Sequence, residues 1–166
     1  MSVIPQIYLE PGDFHFGAAP LRLTTLLGSC VTVTLWHPRR HIGGMCHIQL
    51  PGRSAHRGDD ALDGRYAEDA FTLFDLAMAR HGSHASEYVA KLFGGGNMFP
   101  GSSAGSIEVG NKNLLAARRL LAERKLQPAT EHVGGAGHRK LIFDLANGDV
   151  WLAFSNLEAT KEAASV

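Results

Sequence analysis

The stretch TTLLGSCVTVTLWHP, Thr24 to Pro38, places a cysteine between a Gly-Ser turn and a run that alternates like a strand. Val31 to Trp36 alternates, with β-branched residues at its first four positions, and it reads as a β-strand. Downstream, IGGMCHIQLP, Ile42 to Pro51, reads as the next strand, with Pro38 to His41 as the connection. If that connection is a hairpin, the two strands are antiparallel. Cys30, at the start of one, then meets the far end of the other, where His47 stands. That pairing decides the fold: a sheet built from hairpins, with a cysteine and a histidine at one end of it.

Working outward, IPQIYLEPGDF contains a short strand stopped at Pro11-Gly12, and LRLTT, Leu21 to Thr25, alternates into the Gly-Ser turn. Pro51 to Arg65 is polar and rich in turn residues, a surface loop and a candidate for substrate contact. In RYAEDAFTLFDLAMARHG, Tyr66, Ala70, Phe71, Phe74, Ala77 and Met78 share one helical face, and Gly82 suits the helix end. That apolar stripe is a core face. EYVAKLF is a strand leading into GGGNMF, and a second helix fits Asn111 to Leu126. PATEHV is a strand and GGAGHR a loop. KLIFDL and DVWLAF pair across Asn147-Gly148, the strongest short hairpin signal in the chain. The order predicts an α+β fold: a single domain over residues 1–166, with a mixed, largely antiparallel sheet covered by two main helices. Residues from about 155 to 166 are expected to be a loosely ordered tail.

The 166 residues suffice for a core without metal or disulfide staples. Sixteen Lys plus Arg balance sixteen Asp plus Glu, which leaves no electrostatic footprint for nucleic acid or anionic lipid. No apolar run approaches a membrane span and the N-terminus has no signal-peptide pattern, so no membrane insertion is expected and a cytoplasmic location is. Cys30 and Cys46 are too few for a disulfide framework.

The residues alone leave Cys30 open between a small buried side chain and a nucleophile. For the second, a thiol needs a base, and His47 is placed to serve. The turn at Gly28-Ser29 can aim backbone N–H groups at a developing oxyanion. Thr24, on the strand before the turn, is a candidate to orient the imidazole. Cys46 and His47, adjacent on a strand, point to opposite faces and no metal-ligand spacing is present, so neither a metal nor another cofactor is expected. The glycine-rich loops offer Gly95, Asn97 and His138 as cleft-lining candidates, with Arg139 a weaker one, but neither loop has a phosphate-binding pattern.

These motifs together resemble the chemoreceptor glutamine deamidase family, CheD. LGSCV and GGMCHIQLP are joined, in order, by RYAEDAF, KLFGGGNMF, VGNKNLLAARRLL and VGGAGHRKLIFDLANGDVWL, so the likeness runs from about Glu10 to Phe154. The resemblance implies a compact single-domain α/β sandwich and a cysteine hydrolase, a protein-glutamine glutaminase that turns receptor glutamines into glutamates through a thioester. It implies Cys30, His47 and Thr24 as catalytic residues, receptor cytoplasmic helices as substrate, and a CheC-type phosphatase as partner. Two departures stand out: Cys46 where Asn is more usual, expected to face away from the site, and His37 where an acidic residue is more usual, expected to alter a turn only. A methylesterase or amidase for another protein, or a non-catalytic adaptor with an inert thiol of high pKa, are the rival readings.

Overall fold

A computed structural model describes residues 3–53, 61–100, 105–157 and 161–166. Ten strands and two helices follow in the order β1 (Gln6–Leu9), β2 (Phe14–Ala18), β3 (Arg22–Leu27), β4 (Val31–His37), β5 (Ile42–Cys46), α1 (Ala67–Arg80), β6 (Val89–Gly94), α2 (Gly105–Glu123), β7 (Thr130–Val133), β8 (Gly137–Asp144), β9 (Val150–Asn156) and β10 (Lys161–Ser165). The fold is mixed α+β, as the element order predicts, but the strands form two sheets rather than one. The first has the order β1-β3-β8-β9-β10 and the second β2-β5-β4-β6-β7. Each is antiparallel except for one parallel pair, β1 with β3 and β6 with β7.

The second sheet lies in the middle of three layers. One of its faces sends Val31, Val33, Leu35, Cys46 and Ile48 against Phe71 and Phe74 of α1 and Leu114, Ala117 and Leu121 of α2. Its other face sends Met45 and Phe93, with Cys30 and Trp36, against Leu23, Leu27, Leu141, Phe143 and Leu152 of the first sheet. The alternation in VTVTLW therefore does not separate core from solvent. Thr32 and Thr34 are buried too, and Thr32 satisfies its hydroxyl by donating to the Cys46 carbonyl at 2.7 Å. The helices cover one sheet only, and the outer face of the first sheet is open, with Tyr8, Leu26 and Trp151 exposed.

The hairpin of β4 and β5 forms in the expected antiparallel register, Thr34 opposite Met45 and His37 opposite Ile42. Gly43 is required there because a Cβ would run into the Leu35 carbonyl. The Asn147-Gly148 hairpin also forms, with Gly148 at φ +79° and its N–H donating to the Asp144 carbonyl.

Four expectations are corrected. β2, unforeseen, zips Phe14–Ala18 onto β5. The second helix begins six residues before Asn111, at Gly105. Residues after Phe154 are not a loose tail: β9 continues to Asn156 and Lys161–Ser165 pair with it as β10. His37 does more than alter a turn. It is buried, accepts the Arg40 N–H on Nδ1 at 3.1 Å and meets Glu87 Oε1 at 3.4 Å, so it ties the hairpin to the segment before β6. Of the surface loop Pro51 to Arg65, residues 54–60 lie outside the described residues.

Candidate active site

Past Cys46 the second strand keeps the hairpin register: Val31 and Ile48 exchange both backbone hydrogen bonds, at 2.9 and 2.8 Å. In that register Cys30 opposes Gln49 and Thr32 opposes His47, so Cys30 and His47 project from neighbouring strands to the same face, on a diagonal. Diagonal neighbours stand about 7–8 Å apart at Cα, within reach of a long or aromatic side chain. The face they share looks toward the first sheet. Cys46 turns the other way: its Sγ lies 3.4 Å from the Val33 N–H, and burial pushes its thiol up to about 12. The expectation that it faces away from His47 agrees with this geometry.

His47 is 2% exposed. Its Nδ1 lies 2.7 Å from Thr25 Oγ1, which also lies 2.7 Å from the Leu9 carbonyl oxygen. A carbonyl only accepts, so the threonine proton goes to Leu9, and the hydroxyl oxygen must accept from Nδ1–H. The neutral imidazole is thereby fixed as the Nδ1–H tautomer, which leaves the Nε2 lone pair as the basic atom. Burial lowers the His47 pKa from 6.5 to about 4, against smaller opposing effects of the Leu9 carbonyl and Asp13. Burial also raises the Cys30 thiol above its ordinary 9.0. Among the described residues no hydrogen bond joins Cys30 Sγ to the imidazole. The resting pair is a neutral thiol and a neutral base, not a thiolate–imidazolium pair.

Thr24 does not make the contact expected of it. It sits opposite Tyr8 on β1 and Ile142 on β8, on the outer face of the first sheet, whereas Thr25 has the parity of Leu23 and Leu27 and points inward at 0% exposure. That parity was the sequence signal for Thr25: Leu21, Leu23 and Leu27 mark the buried face, and the residue between the last two belongs to it.

The turn before Cys30 is held by its carbonyls. The Gly28 carbonyl accepts from Gly96 N–H at 2.9 Å and the Cys30 carbonyl from Gly95 N–H at 2.9 Å. The Ser29 carbonyl accepts from Asn113 Nδ2 of α2 at 3.2 Å. Among the described residues no acceptor takes the N–H of Ser29 or of Cys30. In a trans peptide the N–H opposes the C=O, so pinning these carbonyls leaves those N–H groups directed away from the interior.

Gly95 thus belongs to the scaffold of the turn rather than to a cleft wall. It is buried at φ +67°, and a Cβ there would collide with Leu114 of α2. Asn97 caps the same loop: it donates its N–H to the Gly135 carbonyl and accepts the Phe99 N–H on Oδ1 at 3.0 Å. Met98 lies over Gly28, filling the space a Cβ would need. His138 is not brought to Cys30. It shares the outward parity of Lys140 and Ile142 on β8, while Arg139 is buried, donating to His132 Nδ1 at 2.9 Å and to the Gly134 carbonyl at 2.5 Å. Arg139 is therefore a packed structural group, its pKa lowered to about 10 by burial. On the flank of α2, the helix packed on the opposite face of the second sheet from the one Cys30 and His47 share, Pro51, Arg53, Lys112, Leu115 and Arg119 line an open cleft of about 730 Å³.

The family described as CheD, chemotactic sensory transduction, matches residues 49–154. A protein of Dechloromonas aromatica named as a probable chemoreceptor glutamine deamidase is 50% identical over 153 residues, covering 92% of this chain and 89% of that one. One of Pseudomonas savastanoi pv. phaseolicola with the same name is 44% identical, covering 97% of this chain and 91% of its own. One from Leptospira interrogans is 38% identical over 158 residues, covering 91% and 93%. These pairwise likenesses extend well beyond the segment that the family model matches.

Proposed function

Because the chain belongs to the CheD family, we propose that it is a protein-glutamine deamidase that converts glutamines on the cytoplasmic helices of chemotaxis receptors to glutamate. The observation that carries this reading is the arrangement at the end of the β4–β5 pair. A cysteine and a histidine share one face, Thr25 holds the histidine by Nδ1 so that Nε2 is the basic atom, and no acceptor among the described residues takes the N–H of Ser29 or of Cys30.

The chemistry follows from those protonation states. His47 Nε2 takes the proton of Cys30 as Sγ attacks the side-chain carbonyl carbon of glutamine. The N–H groups of Ser29 and Cys30 receive the oxyanion. His47 returns the proton to the departing nitrogen, ammonia leaves, and a thioester remains. Water, deprotonated by His47, then attacks the thioester; glutamate forms and the thiol is restored. The new carboxylate is a local charge change able to bias a two-state receptor bundle.

An inert thiol of high pKa was the mark of the adaptor alternative, and the Cys30 thiol is raised. A neutral imidazole with its lone pair free answers that objection, since it activates a protonated thiol at the moment of attack. Receptors place their modified helices in the cytoplasm, so the protein acts there, and no helix among the described residues is long and apolar enough to cross a membrane. A CheC-type phosphatase is the further partner that family membership suggests.

Mass spectrometry of a receptor cytoplasmic domain incubated with the protein tests the reading. Conversion of glutamine to glutamate, a gain of about one mass unit at defined positions, is expected; an unchanged receptor set with folded protein counts against it. The same assay separates the two threonines. Thr25→Val keeps the shape but strands the Nδ1–H of His47, and kcat should fall about ten- to a hundredfold, as misplacing a catalytic group does. Thr24→Val should stay within about twofold of wild type, since Thr24 is half-buried on the outer face of the first sheet, turned away from His47. Equal losses would sink the assignment of the imidazole partner to Thr25.

A further inference from the structure

Asn113 is fully buried on α2, and both of its amide protons are committed: one to the Ser29 carbonyl at 3.2 Å and one to the Gln49 carbonyl at 3.0 Å. Two carbonyl acceptors fix the orientation of the amide, because the flipped group would set Oδ1 against them. Oδ1 itself is buried without a partner among the described residues. An amide in this position therefore leaves an acceptor unsatisfied, which an apolar side chain would not do. Its return is geometric. Ser29 precedes the nucleophile, and Gln49 is the residue opposite Cys30 on the strand that carries His47. No other side chain among the described residues bonds to both segments.

Only one peptide plane lies between Ser29 C=O and Cys30 N–H, and planarity makes the two groups antiparallel. The backbone of the Gly95–Gly96 loop holds the peptides on either side through Gly28 O and Cys30 O. Among the described residues the middle one has Asn113 as its only partner, and it is the one whose N–H belongs to the nucleophile. Resting on the proposed acyl-transfer chemistry, we infer that Asn113 is a positioning residue that aims the Cys30 N–H at the oxyanion, and that it locks the nucleophile's turn to the strand of the base. Aspartate, ionised, has the shape without the donors; alanine has neither.

Two reactions of Cys30 separate this role from a general structural one. Acylation by p-nitrophenyl acetate passes through a tetrahedral oxyanion. Alkylation by iodoacetamide, a displacement at a saturated carbon, does not. Asn113→Ala should slow acylation about ten- to a hundredfold, below the loss from deleting an oxyanion donor outright, and leave alkylation within about twofold. Asn113→Ser is measured beside it, with circular dichroism on both, so that a failure of one variant to fold leaves the other to decide. Acylation unchanged in a folded variant, or acylation and alkylation falling together, overturns the inference. Receptor deamidation is run in parallel with wild type. If the reagents split as expected while no receptor is deamidated, the inference stands and only the glutamine-deamidase reading fails.

Discussion

Receptor glutamines exposed to the Cys30→Ala variant should remain glutamines, with turnover down on the order of 10⁴- to 10⁶-fold, as when a covalent nucleophile is removed. The fold should survive. Cys30 is only half-buried at the edge of the inter-sheet core, and the turn that carries it is held through backbone carbonyls that alanine retains. Deleting one sulfur there should cost at most about 1 kcal/mol, because little cavity is left. The measurement is mass spectrometry of the receptor domain beside a thermal melt of the variant. Conversion at wild-type rate by a folded Cys30→Ala protein would remove the cysteine from the chemistry altogether.

The second large effect is expected at His47. His47→Gln should lower kcat about 10²- to 10⁴-fold, the range for a positioned acid–base group. The pH profile of the wild type discriminates further. With His47 neutral down to about pH 4 and the Cys30 thiol raised, kcat/KM should be flat from about pH 5 toward 9 and fall on the acid side near 4. Alkylation of Cys30 should go on rising with pH through neutrality. An alkylation plateau near pH 6 to 7 would mean a standing thiolate–imidazolium pair and overturn this account. Stability carries the same signature. Between pH 6.5 and about 4 the unfolded chain binds a proton at His47 that the folded chain does not. Stability therefore drops on acidification through that window, by up to about 3 kcal/mol, and is not lost further there below pH 4. His47→Gln removes that sensitivity, so its melting temperature should change less between pH 7 and pH 4 than that of the wild type.

The placement of these two residues was legible because β-structure is local at a hairpin. Val31–Trp36 and Ile42–Leu50 are joined by a short turn, and once they pair, the placement of Cys30 and His47 on one face, on a diagonal, follows from register alone. The helix over Ala67–Arg80 was equally legible from its apolar face, and the last hairpin from Asn147-Gly148. The orienting threonine was not, because it depends on which face of β3 is buried. In TTLL two threonines and two leucines stand side by side, and the assignment required extending the parity of Leu21 and Leu23 to Thr25.

Motif order by itself determined the family and the antiparallel hairpin, and it put forward Cys30 and His47 as the candidate nucleophile and base. Only the tertiary structure decided that there are two sheets, that helices cover just one, and that the threonine face of β4 is a second core. It also decided the partners of the site, Thr25 from β3 and Asn113 from α2. These lie 22 residues from His47 and 84 from Ser29. No local pattern encodes such contacts; they arise when three layers close on one another and each buried polar group must find its acceptor.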